Sequence, residues 1–197
     1  MKKQWRILNR ETGFDGFFTL FKYSFQHELF GGGWSQPIER EVMHRGHAVA
    51  VLPYDPVLDS TLLIEQFRAG AVLGNEAPWL LEFIAGMVEE GESEVDVVRR
   101  EAREEAGIEI GDAHYLTTYY PSPGGNTETI SIYWAKTDLS KAGGIHGLPT
   151  EGEDIRSFVV PFDEALAMVK DQRINNSLGI ISLLWFQSIR QEIQADL

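Results

Sequence analysis

GMVEEGESEVDVVRREAREEAGI, residues 86–108, sets Glu92, Glu101, Glu104 and Glu105 around Arg100, between Gly86 and Gly107. In a helix Glu101 and Glu105 are i,i+4 neighbours, with Cβ atoms about 5–6 Å apart on one face. Like charges held that close repel, and a shared divalent cation relieves the repulsion. Hard oxygen donors with no His or Cys among them point to Mg²⁺ or Mn²⁺ rather than zinc.

The same stretch reads as a helix with defined ends. Ser93 is placed to cap it, with Asp96 three residues on. Val95, Val98, Ala102 and Ala106 give one apolar stripe for the core, and Gly107 is placed to end the helix in a left-handed conformation. The acidic edge is then expected to face away from the core, available to a metal. The bland alternative is a solvated acidic face with incidental pairs such as Arg100 to Glu104.

Working outward, strands precede and follow this helix. Phe17 to about Phe30 alternates and is aromatic, Gly31-Gly32-Gly33 makes a turn, and a second run continues to about Arg45, which predicts a hairpin or small sheet. HAVAVLP (47–53) and TLLIEQF (61–67) are two more strands across the turn-rich segment 55–60. Trp79 to Ile84 is one strand leading into the acidic helix. His114 to Tyr120 and Thr127 to Trp134 flank the loop of residues 121–126. A loose, Gly-rich segment from Lys136 to Asp154 precedes a strand from Ile155 to Val160. Phe162 to Gln172 has helical spacing, with Ala165, Met168 and Val169 apolar. Ser177 to about Ile193 is the longest helix, behind Asn175-Asn176, with Ile180, Leu183, Leu184 and Phe186 as core. Strands interspersed with a few helices predict an α/β protein with a mixed sheet between helical layers.

The 197 residues carry a net charge of −13, from 17 basic and 30 acidic side chains. That balance argues against nucleic acid as a partner. Residues 86–110 alone hold nine acids against three arginines, a local charge of 3 − 9 = −6. An acidic protein still accommodates a phosphorylated substrate when metal ions invert the local field. The chain has no cysteine, which excludes disulfide and thiol chemistry and fits a reducing cytoplasm. The N-terminus lacks the apolar region of a signal peptide, and no run approaches the ~20 apolar residues that span a bilayer. The expected address is cytoplasmic, with no membrane contact.

Gly86, Glu92, Arg100, Glu101, Glu104, Glu105, Gly107 and Ile108 fall on the fixed positions of G-x5-E-x7-R-E-U-x-E-E-x-G-U, where U is a bulky aliphatic. This pattern resembles the Nudix box of the Nudix hydrolases. Ala102, where the first U stands, is the one departure. REVMHRGHAVAVLP, LLIEQFR, WLLEFIAGMVEEGES, SPGG, GIHGL and EDIR extend the resemblance over most of the chain, toward the ADP-ribose pyrophosphatase branch. Pro123, 16 residues past Gly107, stands where that branch carries proline, although a proline stiffening the turn before Gly124-Gly125 explains it equally. The resemblance implies an α/β/α sandwich with a mixed sheet over residues 47–197, preceded by an N-terminal β-segment, residues 1–46. That segment would join a homodimer, packed across it or swapped within it.

It also implies a reaction, the metal-dependent hydrolysis of the ADP-ribose pyrophosphate to AMP and ribose 5-phosphate. Metal ions neutralise the phosphates and acidify the attacking water. Glu101, Glu105 and the Ala85 carbonyl would then hold Mg²⁺, or Mn²⁺ in its place. Arg100 would orient the glutamates, and Glu104 would assist them. The general base would lie outside the box, on the acidic loop 149–154, with Glu151 as proton acceptor and Glu153 as a metal ligand; the two roles are exchangeable. Arg68 would meet phosphate or the adenine region. Arg40, Glu41 and Arg45, with Phe17 and Phe18 as a stacking face or an apolar contact, would serve the partner's site across the dimer. Ser122, Pro123, Gly124 and Glu128 would line the terminal ribose, and Met87 would offer backbone contact near the phosphates.

Two other readings compete. A Nudix hydrolase of another nucleoside diphosphate sugar, such as GDP-mannose or ADP-glucose, shares the box and the SPGG loop. A non-catalytic nucleotide sensor expects a DNA-binding appendage and an eroded box, whereas here the box is intact. The five histidines show no metal-ligand pairing, and the five tryptophans read as core or interface.

Overall fold

In the computed structural model, residues 3–74 and 77–195 are described, and they form two compact units. The smaller comprises Met1–His47 with Tyr120–Thr129. It is built on an antiparallel sheet in the order β1 (Trp5–Asp15), β2 (Thr19–His27), β3 (Ile38–His44). β1 lies within the expected N-terminal β-segment, but the alternation does not announce it as a strand of its own: RILNRE mixes charge into the pattern. Its polar residues are engaged across the sheet, with the Arg6 guanidinium 4.5 Å from the Trp34 ring and that of Arg10 4.8 Å from Phe21. The loop after Tyr120 joins this unit by backbone bonds: the Met43 N–H donates to the Gly125 carbonyl (2.9 Å), and the Thr127 N–H to that of Met43 (3.0 Å).

The larger unit holds an eight-stranded sheet in the order β10 (Gly144–His146), β11 (Ile155–Pro161), β5 (Ser60–Phe67), β4 (His47–Asp55), β9 (Thr129–Lys136), β8 (Ala113–Tyr119). β6 (Trp79–Glu82) pairs with β5, and β7 (Ile84–Met87) pairs with β4. Four helices accompany it: α1 (Ala69–Leu73), α2 (Glu94–Ala106), α3 (Phe162–Lys170) and α4 (Ser177–Ala195).

The central strands are apolar on both faces because both faces are covered. Val49, Val51, Leu62, Ile64 and Ile84 pack with Val97, Val98, Ala102 and Ala106 of α2. Their neighbours of opposite parity, Leu52, Tyr54, Leu63 and Phe83, pack with Phe162, Ala165 and Met168 of α3 and Leu183 and Phe186 of α4. The architecture is therefore the expected α/β/α sandwich with a mixed sheet.

Several local expectations fail. The single strand expected from Trp79 to Ile84 is two, breaking at Phe83 so that β6 and β7 reach different partners. The segment 136–154 is not loose, since it contains β10 and a 3₁₀ turn at Pro149–Glu151. Short α1 lies in what reads as an unstructured link. Leu184 is exposed on α4 rather than core, and Trp5, Trp34, Trp79 and Trp185 are exposed too, which rules out a core role for four of the five tryptophans within this chain.

The far end of α4 is fastened to the β4–β5 turn. Arg190 donates from Nη1 to Asp163 (2.5 Å) and from Nε to Asp59 Oδ1 (2.8 Å), and Tyr54 donates its hydroxyl to the same Asp59 oxygen (2.6 Å). Burial works against the Asp59 carboxylate, but the hydrogen bonds from Arg190 and Tyr54 outweigh it and hold its pKa below the usual 3.8.

Candidate active site

α2 forms as its sequence directs. Ser93 adopts an extended conformation and its Oγ accepts the Asp96 N–H (3.2 Å). Gly107 closes the helix in the left-handed region, with φ of 64°. The Ile108 N–H returns to the Ala102 carbonyl and the Gly107 N–H to that of Arg103, both at 3.1 Å, a Schellman closure. The first turn is tied to the sheet: Tyr133 and Ser131 donate their hydroxyls to the two oxygens of Glu94, at 2.5 and 3.0 Å.

The acidic edge does not face away from the core, as the sequence alone implies. Val95 is only half-buried, and the buried face is Val97, Val98, Ala102, Ala106 and Glu105 itself. Glu105 is 3% exposed, and its Oε2 accepts the Ala85 N–H at 3.0 Å. Glu101 lies against Gly86, where a Cβ would stand 1.9 Å from its Oε1. The first glycine of the motif is thus a niche for the first helix carboxylate. Arg100 Nη1 donates to Glu101 (2.7 Å) and Glu104 (3.2 Å), while its Nε is 3.6 Å from Glu92.

The electrostatics are those of an anionic cluster short of cation. Burial pushes the Glu105 carboxyl well above its usual range; the Ala85 N–H and Arg68 oppose this, and Glu101 and Glu153 add to it. Burial likewise lifts Glu101 to about 7, against the pull of Arg100 and with Glu104 and Glu153 adding repulsion. Hence Glu101, Glu105 and Glu153 sense one another's charge. Among the described residues no three His, Asp or Glu side chains are drawn together tightly enough to hold a metal ion as they stand. A cation here would have to win Glu101 from Arg100. The donor set still fits a hard divalent ion: two desolvated carboxylates, all oxygen, one of them accepting a backbone amide. The Ala85 N–H is directed at Glu105, while Ala85 stands opposite Ala50 of β4 in the sheet.

The acidic loop follows β10. Glu153 is half-buried and its Oε2 accepts the Leu148 N–H at 3.1 Å, whereas Glu151 is exposed. Glu151, Gly152, Glu153 and Asp154 border a cleft of about 390 Å³ with Gln66, Phe67, Arg68 and Trp79. Arg68 is engaged there by Glu82, donating from Nη2 at 2.7 Å and Nε at 3.1 Å to one oxygen. Burial lowers the Arg68 pKa, but Glu82, Glu105 and Glu153 together raise it on balance. Glu82 escapes the motif reading; its signal is a lone acid in the apolar run WLLEFIAG. Phe67 and Trp79 escape it too. They meet edge to face at 5.8 Å and both remain exposed.

Met87, at the end of β7, pairs with Ala48. The remaining expected substrate residues gather in the smaller unit. Arg45 Nε is 2.8 Å from Glu128, and the Arg45 guanidinium lies 5.0 Å from the Phe18 ring. Phe17 is 94% exposed and touches Phe18 edge-on at 4.7 Å. Arg40 and Glu41 are exposed on β3, and Ser122, Pro123 and Gly124 form the exposed turn whose Ser122 carbonyl accepts the Asn126 N–H (3.1 Å).

Comparison with known proteins adds to this geometry. The ADP-ribose pyrophosphatase of Escherichia coli strain K12 is 46% identical over 193 residues, covering 98% of this chain and 92% of that protein. The ADP-ribose pyrophosphatase of Haemophilus influenzae is 43% identical over 191 residues, covering 95% and 88%. A GDP-mannose pyrophosphatase of Pectobacterium atrosepticum is 36% identical over 182 residues, covering 90% and 91%. In fold, the chain matches the crystal structure of an ADP compounds hydrolase with a TM-score of 0.72 at 22% identity, over 98% of this chain and 97% of that one. The NUDIX domain model matches residues 43–178, and with the box residues gathered on one helix and its adjoining strand, the chain belongs to the NUDIX family.

Proposed function

We propose that the protein is a metal-dependent ADP-ribose pyrophosphatase, hydrolysing ADP-ribose to AMP and ribose 5-phosphate. The observation that carries this reading is the pair of desolvated carboxylates, Glu105 on the Ala85 amide and Glu101 in the Gly86 niche, on a helix closed at both ends. The ADP-ribose pyrophosphatases at 46% and 43% identity support the substrate. GDP-mannose pyrophosphatases, more distant at 36% and 34% identity, favour the alternative, GDP-mannose or ADP-glucose, less strongly.

Glu101, Glu105 and the Ala85 carbonyl are the proposed metal site, joined by Glu153 from the loop. Mg²⁺ is the proposed ion, with Mn²⁺ able to replace it. The cation, when bound, neutralises the diphosphate oxygens and acidifies the attacking water. Arg100 sets the orientation of Glu101 and Glu104. Glu151 takes the proton of the water as its oxygen bonds to phosphorus and the bridging P–O bond breaks. Glu151 suits this role better than Glu153, whose carboxylate already holds the Leu148 N–H. Arg68, kept cationic beside Glu82, faces the cleft as an electrostatic partner for phosphate. Met87 contributes backbone contact.

Arg40, Glu41, Arg45, Phe17, Phe18, Ser122, Pro123, Gly124 and Glu128 are proposed to recognise adenosine and terminal ribose, acting within a homodimer formed through the N-terminal β-segment. Exposed Trp5, Ile7, Leu8 and Phe14 along β1 favour such an association. No helix among the described residues is long and apolar enough to cross a membrane, and the proposed compartment is the cytoplasm.

Product analysis with Mg²⁺ across ADP-ribose, ADP-glucose, GDP-mannose and NADH tests this. Preferential release of AMP and ribose 5-phosphate, abolished by Glu105→Gln, is the expected result. Preference for GDP-mannose would move the substrate, and no turnover of any would remove the catalytic reading.

A further inference from the structure

Residues 144–148, GIHGL, lie where the acidic loop leaves β10. The last turn of a helix leaves carbonyls that the helix cannot satisfy. In α2 the Schellman closure takes those of Ala102 and Arg103, and the Glu104 carbonyl accepts instead the N–H of Gly147, at 2.9 Å. One residue earlier, the His146 ring lies over Gly107: a Cβ there would stand 2.6 Å from His146 Cε1 and 3.1 Å from Nδ1. His146 Nε2 is buried with no hydrogen-bond partner among the described residues. At that nitrogen the ring is held by packing alone.

On its other side Gly147 meets the loop. Its φ is +100°, and a Cβ would stand 2.8 Å from Glu153 Cβ. The Leu148 N–H donates to the Glu153 carboxylate, and the Leu148 carbonyl accepts the N–H groups of Glu151 (2.9 Å) and Glu153 (3.2 Å). The loop is a closed turn fastened at two points to the end of the helix that carries Glu101 and Glu105.

We propose that His146 and Gly147 form a latch that places Glu151 and Glu153 relative to Glu101 and Glu105. His146 acts through ring packing on Gly107, and Gly147 through its bond to the Glu104 carbonyl. Both are positioning residues, and the proposal rests on the reading of the acidic loop as part of the catalytic site. GIHGL thereby acquires a mechanical role, because these residues join the metal helix to the loop of the base.

The test compares His146→Ala with His146→Phe in the full chain, reading amide hydrogen exchange at Gly147 and the Mg²⁺ dependence of ADP-ribose turnover. His146→Ala is expected to speed exchange at Gly147 by about tenfold or more. It should also raise the half-saturating Mg²⁺ concentration about tenfold, as for loss of a group that orients a ligand. His146→Phe keeps the ring and is expected to retain both wild-type values. Unchanged exchange or unchanged Mg²⁺ dependence in His146→Ala would overturn the latch. So would His146→Phe behaving like His146→Ala, because the imidazole nitrogens would then carry the effect. Glu105→Gln separates the two ideas. Turnover surviving it would sink the site reading and the latch's catalytic purpose with it, whereas turnover lost there alongside an unaltered His146→Ala would sink the latch alone.

Discussion

Gly86→Ala adds one methyl group where the structure has room for none. Its carbon would stand 1.9 Å from Glu101 Oε1, 2.3 Å from Cδ and 2.5 Å from Cγ, while ordinary contact begins at 3.4 Å. The carboxylate must therefore withdraw by about 1.5 Å (3.4 − 1.9). Gly86 lies outside the left-handed region, so alanine strains no backbone there, and it is the Glu101 side chain that has to move. The fold should survive while the carboxylate leaves its place. A misplacement of about 1 Å costs about 10²-fold in rate, which corresponds to about 2.7 kcal/mol of transition-state stabilisation. The assay is steady-state release of AMP from ADP-ribose at saturating Mg²⁺, with a thermal melt on the same preparation. Gly70→Ala is the control, since a Cβ there meets nothing within 4 Å. A folded Gly86→Ala protein turning over like the wild type would refute the placing of Glu101 in the metal site.

Glu151→Gln should lower kcat by about 10²-fold or more, the scale of a general base; single-turnover rates check it, and near-wild-type turnover would pass the role to Glu153. Glu105→Gln removes a carboxyl whose ionisation burial opposes more than the Ala85 amide and Arg68 favour it, so in EDTA at pH 8 it should melt higher than wild type. About 1 kcal/mol of relief corresponds to about 2–4 °C; Mg²⁺ should raise the melting temperature of wild type and not of the variant, and a lower melting temperature in EDTA would refute the argument. Asp59→Asn should cost about 1–3 kcal/mol at pH 7 by breaking the Arg190 clamp. Because the Asp59 pKa is held below 3.8 in the fold, its contribution is present above that value and lost as pH falls through the folded pKa. The difference between variant and wild type in urea midpoint should therefore shrink at pH 3.

The box was legible because its spacing coincides with helix geometry, and the sandwich because β4 and β5 carry apolar residues on both faces through their centres. What the sequence hid were facts of tertiary placement. Periodicity puts Val95, Val98, Ala102 and Ala106 in the core and Glu105 outside it; the last three of that stripe are buried, but Val95 is only half-buried and the buried face extends to Val97 and to Glu105, seated on the Ala85 amide. A carboxylate at a core position looks like an error until its strand partner is known. β1 shows no clear alternation because its polar residues are taken up by rings and bonds across the sheet, and α1 is too short to show a period. Glu82 is hidden for a similar reason: nothing in the local sequence reveals Arg68 beside it. Gly147 and His146 look like loop filler until the end of α2 is seen beneath them.

Glu94 is gripped by hydroxyls of β9 at one end of α2, and the Glu104 carbonyl by Gly147 at the other. A beam fixed at both ends neither slides along its axis nor turns about it. Substitutions away from its two anchors and from the Gly86 niche therefore have little leverage on where the helix holds Glu101 and Glu105, and the proposed pyrophosphate chemistry is insulated from change in the rest of the molecule. Diversification of this scaffold toward other sugars has to work through segments that bear no such load, such as the turn at residues 122–125, the exposed Phe67–Trp79 pair and the β-sheet unit. One helix, tied at both ends, would let recognition drift while the proposed hydrolysis stays put.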